Sequence, residues 1–385
     1  MSGKGVLTVL APAPGERLRT LRDLLGLTQE QLAKASGVTQ SWISHAETGE
    51  REATEDGLRA IAVATGTPMS FFQARPSTVP LDSLRFRKLA SASRVMTRRV
   101  HTFYGESYRV TEDIITSENY PTPPLPYAMG DEATSSQIES LAAATRDALR
   151  IAPDAPIPHL TRALERAGVA VAPMALTDVD GEEQPATGHF GVSYWGGLGA
   201  TALIGYFPGN QGDRDRFTLA HELGHLVLHT FRPRVPDSVA EDEANRFASA
   251  LLVPYRRALE LFSERLSLTE YARLKATWGV SIQALIMRAY AVEAIGDTRK
   301  RSLFVQLSAR GWRKAEPVSV GHEEPQLLWA LLSRRYGARP YVPAAEALAI
   351  HPTVLRSIAP TPEPKQPDHQ ERPPGTVVRF RRRVS

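Results

Sequence analysis

The residues best placed to do chemistry are His221-Glu222-Leu223-Gly224-His225. In a helix, positions i and i+4 stand one turn apart on one face, so the two imidazoles can converge on a single ion. Glu222 lies beside them. In this arrangement it does not ligate; it takes a proton from water polarised by the ion, which makes it a general base. The chain has no cysteine, so any metal must be held by imidazole and carboxylate. A catalytic zinc keeps three protein ligands and one open position, and the third ligand usually comes from a second helix packed on the first. Glu241-Asp242-Glu243-Ala244-Asn245-Arg246-Phe247-Ala248 supplies it. Glu241, Ala244, Asn245 and Ala248 share one helical face, and the two alanines let the helices approach closely. Glu241 is therefore the expected third ligand. Glu243, about 160° away around the axis, is the weaker choice. Two imidazoles and a carboxylate suit Zn2+, with manganese or iron as alternatives. His189, Tyr194 and His229 are candidates for an oxyanion donor, each more readily read as structural: Tyr194 as a strand residue beside Trp195, His229 as a helix-end histidine.

These residues need a scaffold. From Ser135 the pattern gives a helix through Arg150 and another through Arg166, followed by a strand at Val169-Ala170-Val171-Ala172. Phe190 to Tyr194 and Thr201 to Tyr206 are β-rich runs around Gly196-Gly197, as in a hairpin. The helix bearing the histidines starts near Asp213. Helical periodicity then continues to about Ala294, and a shorter α-rich region runs to Ile358. An α+β domain with a helical C-terminal region is expected. Beyond Ala359 a Pro-rich polar sequence ending in Arg379-Phe380-Arg381-Arg382-Arg383 reads as a disordered tail with a basic tip.

A different chemistry is written into the N-terminal part. From Gly15 to Phe72, short apolar-periodic segments are punctuated by Gly26, Gly37, Gly49 and Gly66, which predicts a small all-α module. Thr28 caps one helix and Thr39-Gln40-Ser41-Trp42 opens another after the turn Ser36-Gly37-Val38. Two short helices joined by a glycine turn are a helix-turn-helix. Its second helix would enter the major groove of double-stranded DNA, with Gln40, Ser41 and Ser44 on base edges or phosphates and Gln29 fixing the backbone. Leu18, Leu21, Leu25, Leu32, Ala33, Val38, Ile43, Leu58 and Ile61 are expected in its core. Arg17, Arg19, Arg22 and Arg51 read as ordinary solvated surface. After the boundary at Ala74-Arg75-Pro76-Ser77-Thr78-Val79-Pro80, Leu89, Met96, Val100, Phe103 and Tyr104 predict a linking helix in a basic segment containing Arg85, Arg87, Lys88, Arg94, Arg98 and Arg99. The run Tyr120 to Pro126 is a semi-rigid spacer.

At 385 residues the chain has room for several domains, and 42% apolar residues excludes a disordered protein. Lys+Arg 46 against Asp+Glu 42 gives a formal net charge of +4, a mild indication of polyanion binding. No apolar run approaches the roughly 20 residues of a membrane span, and Val6 to Pro14 is too short for a signal sequence. A cytoplasmic protein with no membrane partner is expected.

The sequence Arg216-Phe217-Thr218-Leu219-Ala220-His221-Glu222-Leu223-Gly224-His225-Leu226, followed by Glu241 through Pro254, resembles the ImmA/IrrE family of zinc metallopeptidases. Trp278-Gly279-Val280-Ser281 is similar to the start of the helical subdomain that follows the protease fold in that family. The N-terminal stretch, with Ser44-x-x-Glu47-x-Gly49 after the second helix, resembles the XRE family of Cro/repressor-like regulators. Together with Phe86-Arg87 and Gly311-Trp312-Arg313-Lys314-x-Glu316-Pro317, they resemble fused XRE/ImmA-IrrE regulators. The resemblance implies a multidomain chain: an all-α helix-turn-helix domain at 14–75, a linker helix and spacer at 76–134, and an α+β zincin-like metallopeptidase domain at 135–300. A helical region at 301–358 and a tail at 359–385 follow. It also implies that His221, His225 and Glu241 hold zinc, that Glu222 is the base, and that the substrate is a repressor protein, a partner or a copy of the chain itself. The competing expectation is a transcription factor whose metal site is structural or senses a ligand. A homodimer is expected of a helix-turn-helix reading a two-fold operator.

Overall fold

The computed structural model describes residues 14–80, 85–88, 93–177, 182–184 and 189–362, with 85–88 and 189 described as backbone only. The expected basic tail lies, from residue 363 onward, outside the described residues, as do residues 6–13 of the N-terminal apolar stretch and Leu89.

Four helices open the chain: α1 (Pro14–Leu25), α2 (Gln29–Ser36), α3 (Gln40–Thr48) and α4 (Glu55–Thr65), followed by a 3-10 turn at Met69–Gln73. Thr28 caps α2 in a reciprocal capping box with Gln31, and the Thr39 side chain accepts from the Trp42 N–H to start α3. Between them Gly37 ends α2 with φ of 73°, a left-handed conformation that glycine adopts without strain. Leu18, Leu21, Leu25, Leu32, Ile43, Leu58 and Ile61 are buried, and Ala33 and Val38 pack half-buried against them.

The long helix α5 (Arg94–Ser117) is the spine of the molecule. Its apolar positions meet the α1 side, the C-terminal helices and one face of a four-stranded sheet. That sheet has the order β1 (Arg85–Lys88), β5 (His189–Trp195), β6 (Ala202–Tyr206), β2 (Val169–Pro173); β2 runs parallel to β6, and β5 is antiparallel to both of its neighbours. A two-stranded ribbon, β3 (Leu176–Thr177) with β4 (Glu183–Gln184), lies apart from it. Side chains alternate across the sheet with period two. Ala170, Ala172, Val192 and Leu203 face the α5 side, while Val169, Val171, Trp195, Ala202 and Ile204 belong to the core on the opposite face. Tyr104 and Tyr108 of α5 donate their hydroxyls to Leu203 O (2.8 Å) and Thr201 O (3.0 Å), which fixes the helix on the sheet.

The second core is built from α6 (Ser135–Ala148), α7 (Leu160–Arg166), α8 (Gly212–His229), α9 (Asp237–Leu252), α10 (Tyr255–Leu261), α11 (Leu268–Trp278), α12 (Ile282–Ala291) and α13 (Asp297–Ala309). The last three helices, α14 (Leu327–Tyr336), α15 (Tyr341–Ala347) and α16 (Pro352–Ile358), return to the first core. Ser357 donates to Pro173 O of β2 (3.0 Å), and the His351 ring bonds Thr65 O at the end of α4 (2.8 Å). Among the described residues no helix is long and apolar enough to cross a membrane.

Two features depart from the sequence reading. The segment Arg85–Lys88 is a strand, although its residues carry no alternation; it is held by the backbone of β5. Arg17, expected on the surface, and Arg99, one of the basic residues of the linking segment, are buried. Arg17 donates to Phe71 O (3.1 Å) and pairs both guanidinium ends with Glu106 of α5, which also receives Arg109; Arg109 in turn donates to Leu348 O (2.9 Å) and Ala349 O (3.0 Å). Burial alone would raise the Glu106 carboxyl, and the two arginines outweigh it, holding it below the ordinary range. Arg99 caps carbonyls of Leu24 and Thr177. Charge patterning alone does not separate such arginines from solvated ones.

Two outcomes follow. Glu106→Ala leaves two buried guanidinium groups without their carboxylate, and is expected to cost about 3–5 kcal/mol in urea unfolding, with proteolytic nicking between α4 and α5 appearing first. Glu165, which accepts the N–H groups of Gln326 and Leu327 at the start of α14, has its carboxyl raised by burial from 4.5 to about 7, against the pull of those two N–H groups. A raised folded value means the folded chain holds the extra proton. The contribution is full below about pH 4.5 and is lost as pH rises to about 7, by up to about 3 kcal/mol. Glu165→Gln is expected to remove that slope, read as urea midpoints of variant and wild type that diverge between pH 4.5 and 7.

Candidate metal centre

Helix α8 carries Asp213 and Asp215 in its first turn and His229 in its last, a charge order that suits the helix dipole. It is buried along nearly its whole length between the sheet and α9. At Gly224 there is no room to spare: a Cβ there would sit 3.1 Å from the Phe247 ring and 3.2 Å from Ala244 Cα. Ala244 and Ala248 are fully buried at this crossing, so the small residues on both helices set the spacing that lets α9 side chains reach those of α8.

The structure brings His221, His225 and Glu241 together. The two Nε2 atoms stand 3.1 Å apart, and the Glu241 oxygens lie 3.4 Å from His221 Nε2 and 3.3 Å from His225 Nε2. Three atoms bound to one tetrahedral zinc at about 2.0–2.1 Å stand about 3.3 Å from one another, so the donor set has the size and chemistry such an ion requires. His221 is fully buried, His225 nearly so, and Glu241 is 37% exposed, which leaves the group open on the carboxylate side.

Each histidine is oriented from behind. His221 Nδ1 lies 3.0 Å from Asn245 Oδ1, an acceptor that places the ring proton on Nδ1 and turns the Nε2 lone pair inward. His225 Nδ1 lies 3.0 Å from His229 Nδ1, and His229 Nε2 lies 3.0 Å from Glu243 Oε2. With His225 protonated at Nδ1, it donates to His229, which donates from Nε2 to Glu243. Glu243 is gripped by Arg232 (2.7 and 3.2 Å) and by the Ala133 N–H (3.1 Å). Burial raises its carboxyl, and Arg232, Ala133 and His229 bring it below the ordinary value. Glu243, the weaker sequence choice for a ligand, thus sits two hydrogen bonds behind His225.

Glu222 is fully buried beneath β5. The Ser193 hydroxyl lies 2.8 Å from Glu222 Oε2 and 3.1 Å from the Glu222 carbonyl, and at Gly191 a side chain would collide with the Glu222 carboxylate. Gly191 and Ser193 share one face of β5, so Tyr194 points to the other, where its ring meets Tyr108 at 5.0 Å. That removes Tyr194 from the metal group, and His229 stands behind His225; the His189 side chain lies outside the described residues. Sequence reasoning missed Ser193, Gly191, Arg232 and the orienting part of Asn245. The i+4 repeat of His225 and His229 was a readable signal; the others come from elements whose packing no local pattern reveals.

On the N-terminal module, Gln40 and Ser41 stand exposed at the start of α3, and Ser44 one turn on is half-buried. Gln29 donates its amide to Glu47 (2.9 Å), whose carboxylate also receives Arg22 (2.7 and 3.1 Å). The network ties α1, α2 and α3 together and sets the angle at which α3 is presented.

Residues 164–290 match the IrrE N-terminal-like domain of the M78 peptidases, and residues 15–70 match a helix-turn-helix domain. Comparison of the chain with curated proteins gives no match.

Asn245→Ala removes an exposed side chain whose one described partner is His221. Zinc affinity, measured by chelator competition, is expected to fall about 10–100-fold, with the stability of the metal-free protein unchanged within about 0.5 kcal/mol.

Proposed function

We propose that this chain, a helix-turn-helix domain joined to an IrrE-type peptidase domain, is a zinc-dependent endopeptidase that regulates transcription in the cytoplasm. As a homodimer on a DNA operator, it cleaves a repressor protein, either a partner or a second copy of itself. The observation that carries this reading is the convergence of His221 Nε2, His225 Nε2 and a Glu241 oxygen at ligand spacing, with Glu222 buried beside them. A site that only held structure would have no use for that carboxylate.

Zinc held by His221, His225 and Glu241 supplies Lewis-acid polarisation of the scissile carbonyl and of the attacking water. The chain does the rest. Asn245 and the His229–Glu243–Arg232 series fix the ring orientations, so the donors are in place before binding. Ser193 fixes Glu222 Oε2, and Gly191 lets β5 lie directly on the carboxylate and shield it from bulk water. Glu222 takes the proton of the attacking water as the new C–O bond forms, and then delivers it to the departing amine as the peptide C–N bond breaks. Gln40, Ser41 and Ser44 meet bases and phosphates in the major groove, and Gln29 is held by Glu47 at the groove rim.

The test is incubation of the zinc-loaded full chain with repressors encoded beside its gene, and with itself. Cleavage is expected from the wild type and a drop of about 10²–10⁴-fold in Glu222→Gln, whose zinc content and operator affinity stay unchanged. Full metal occupancy with no cleavage of any of these proteins would leave a regulator whose metal site does not turn over.

A further inference from the structure

Strand β1 stands at the outer edge of the sheet, paired antiparallel with β5: Arg85 opposite Ser193, Phe86 opposite Val192, Arg87 opposite Gly191, and a register shift before Lys88 opposite His189. Gly191 and Ser193 are the residues that lie on Glu222. Without β1, β5 would present its row of N–H and C=O groups at the rim of the metal centre, and such an edge takes up an extended peptide by backbone pairing. An endopeptidase needs its substrate extended, because the scissile amide must be exposed along the chain. The edge of β5 is where that need meets an available backbone.

In this structure the chain fills the edge itself. The filling strand is short, has one apolar residue among four, and breaks register within its own length, so its composition is poor for a strand. It also comes from about a hundred residues upstream of β5, outside the span that matches the peptidase domain. We propose that Arg85–Lys88 is a built-in occupant of the substrate seat: an extended substrate pairs antiparallel with β5 over Gly191–Ser193, and β1 must leave for it to enter. This rests on the peptidase reading for its purpose, and on the β1–β5 pairing alone for its structure.

The test uses the zinc-loaded full chain with Glu222→Gln, so that binding is read without cleavage. The probe is a fluorescein-labelled synthetic peptide of residues 81–92. In a variant combining Arg85→Gly, Phe86→Ser, Arg87→Gly and Lys88→Ser, amide exchange along residues 190–193 is expected to speed at least tenfold. The peptide should bind that variant at least tenfold more tightly than it binds the chain with β1 intact, and restore the lost protection. A second variant, Phe86→Cys with Val192→Cys, joins opposed positions by a disulfide; oxidised, it should bind no peptide, and reduction should restore the binding of the unlinked chain. Unchanged exchange in the first variant, equal peptide binding with and without β1, or peptide binding by the oxidised second variant each overturns the proposal. Binding that follows the expected order, with no cleavage by any form carrying Glu222, would keep the seat and remove the peptidase reading instead.

Discussion

A helix buried along nearly its whole length that nevertheless carries seven buried ionisable side chains is the constraint on which the rest of this structure depends. Asp213, Asp215, Arg216, His221, Glu222, His225 and His229 all lie within α8 and out of water. A buried charge or imidazole without a partner costs several kcal/mol, so each needs a specific neighbour. Lys275 of α11 answers Asp213 (2.9 Å) and is itself paired with Glu316 (2.8 Å). His322 answers Asp215 (3.2 Å), and Glu323 answers Arg216. The remaining four are served by Asn245, Glu241, Ser193 and Glu243. The segment from Glu316 to Glu323 closes over the first turn of α8, where Gly321 O and Val320 O leave no space for a side chain at Gly212.

The same logic, applied at α5, joins the two halves. Glu106 is acceptable inside the protein because Arg17 arrives from α1 and Arg109 from its own helix, and Arg109 then reaches the carbonyls before α16. Glu323 shows the electrostatic result near α8: burial works against its charge, yet His159, Arg216 and the Thr161 N–H outweigh it and hold the carboxyl at about 2. Polar networks of this kind specify one arrangement, since a slipped helix would strand several groups at once.

Much of this was legible beforehand where the signal is local. Thr28, Thr39 and the glycine turn marked the first module; His221 and His225 marked one helix face; Ala244 and Ala248 marked the close crossing that carries Glu241. The strand at Val169 was readable as a β-rich run, and those within Phe190–Tyr194 and Thr201–Tyr206 as β-rich runs around a glycine pair. What was not legible depends on partners distant in sequence. Arg17 looks like any surface arginine until Glu106 is beside it. Arg85–Lys88 has no strand pattern because its pairing is made by backbone atoms, to which side-chain periodicity is blind. Glu243 was placed on the correct side of α9, away from Glu241, but its neighbours Arg232 and Ala133 arrive from other elements.

The shared core on the α5 side bears on how such a chain can be recombined. Leu18, Leu21, Ile61 and Phe71 of the DNA-binding module belong to one continuous apolar cluster with Val100 and Tyr104 of α5, with Leu203 of the sheet, and with Leu331 and Val354 near the C-terminus. The boundary by which the helix-turn-helix is recognised, at residue 70, runs through this cluster, one residue before Phe71. A gene exchange made there would transplant a motif without the surface that completes it, and would leave the recipient with an uncovered apolar wall. In a lineage built on this fold, exposed positions such as Gln40 and Ser41 are therefore free to change one at a time, while wholesale exchange of the first module is constrained to carry α5 and its C-terminal packing along with it.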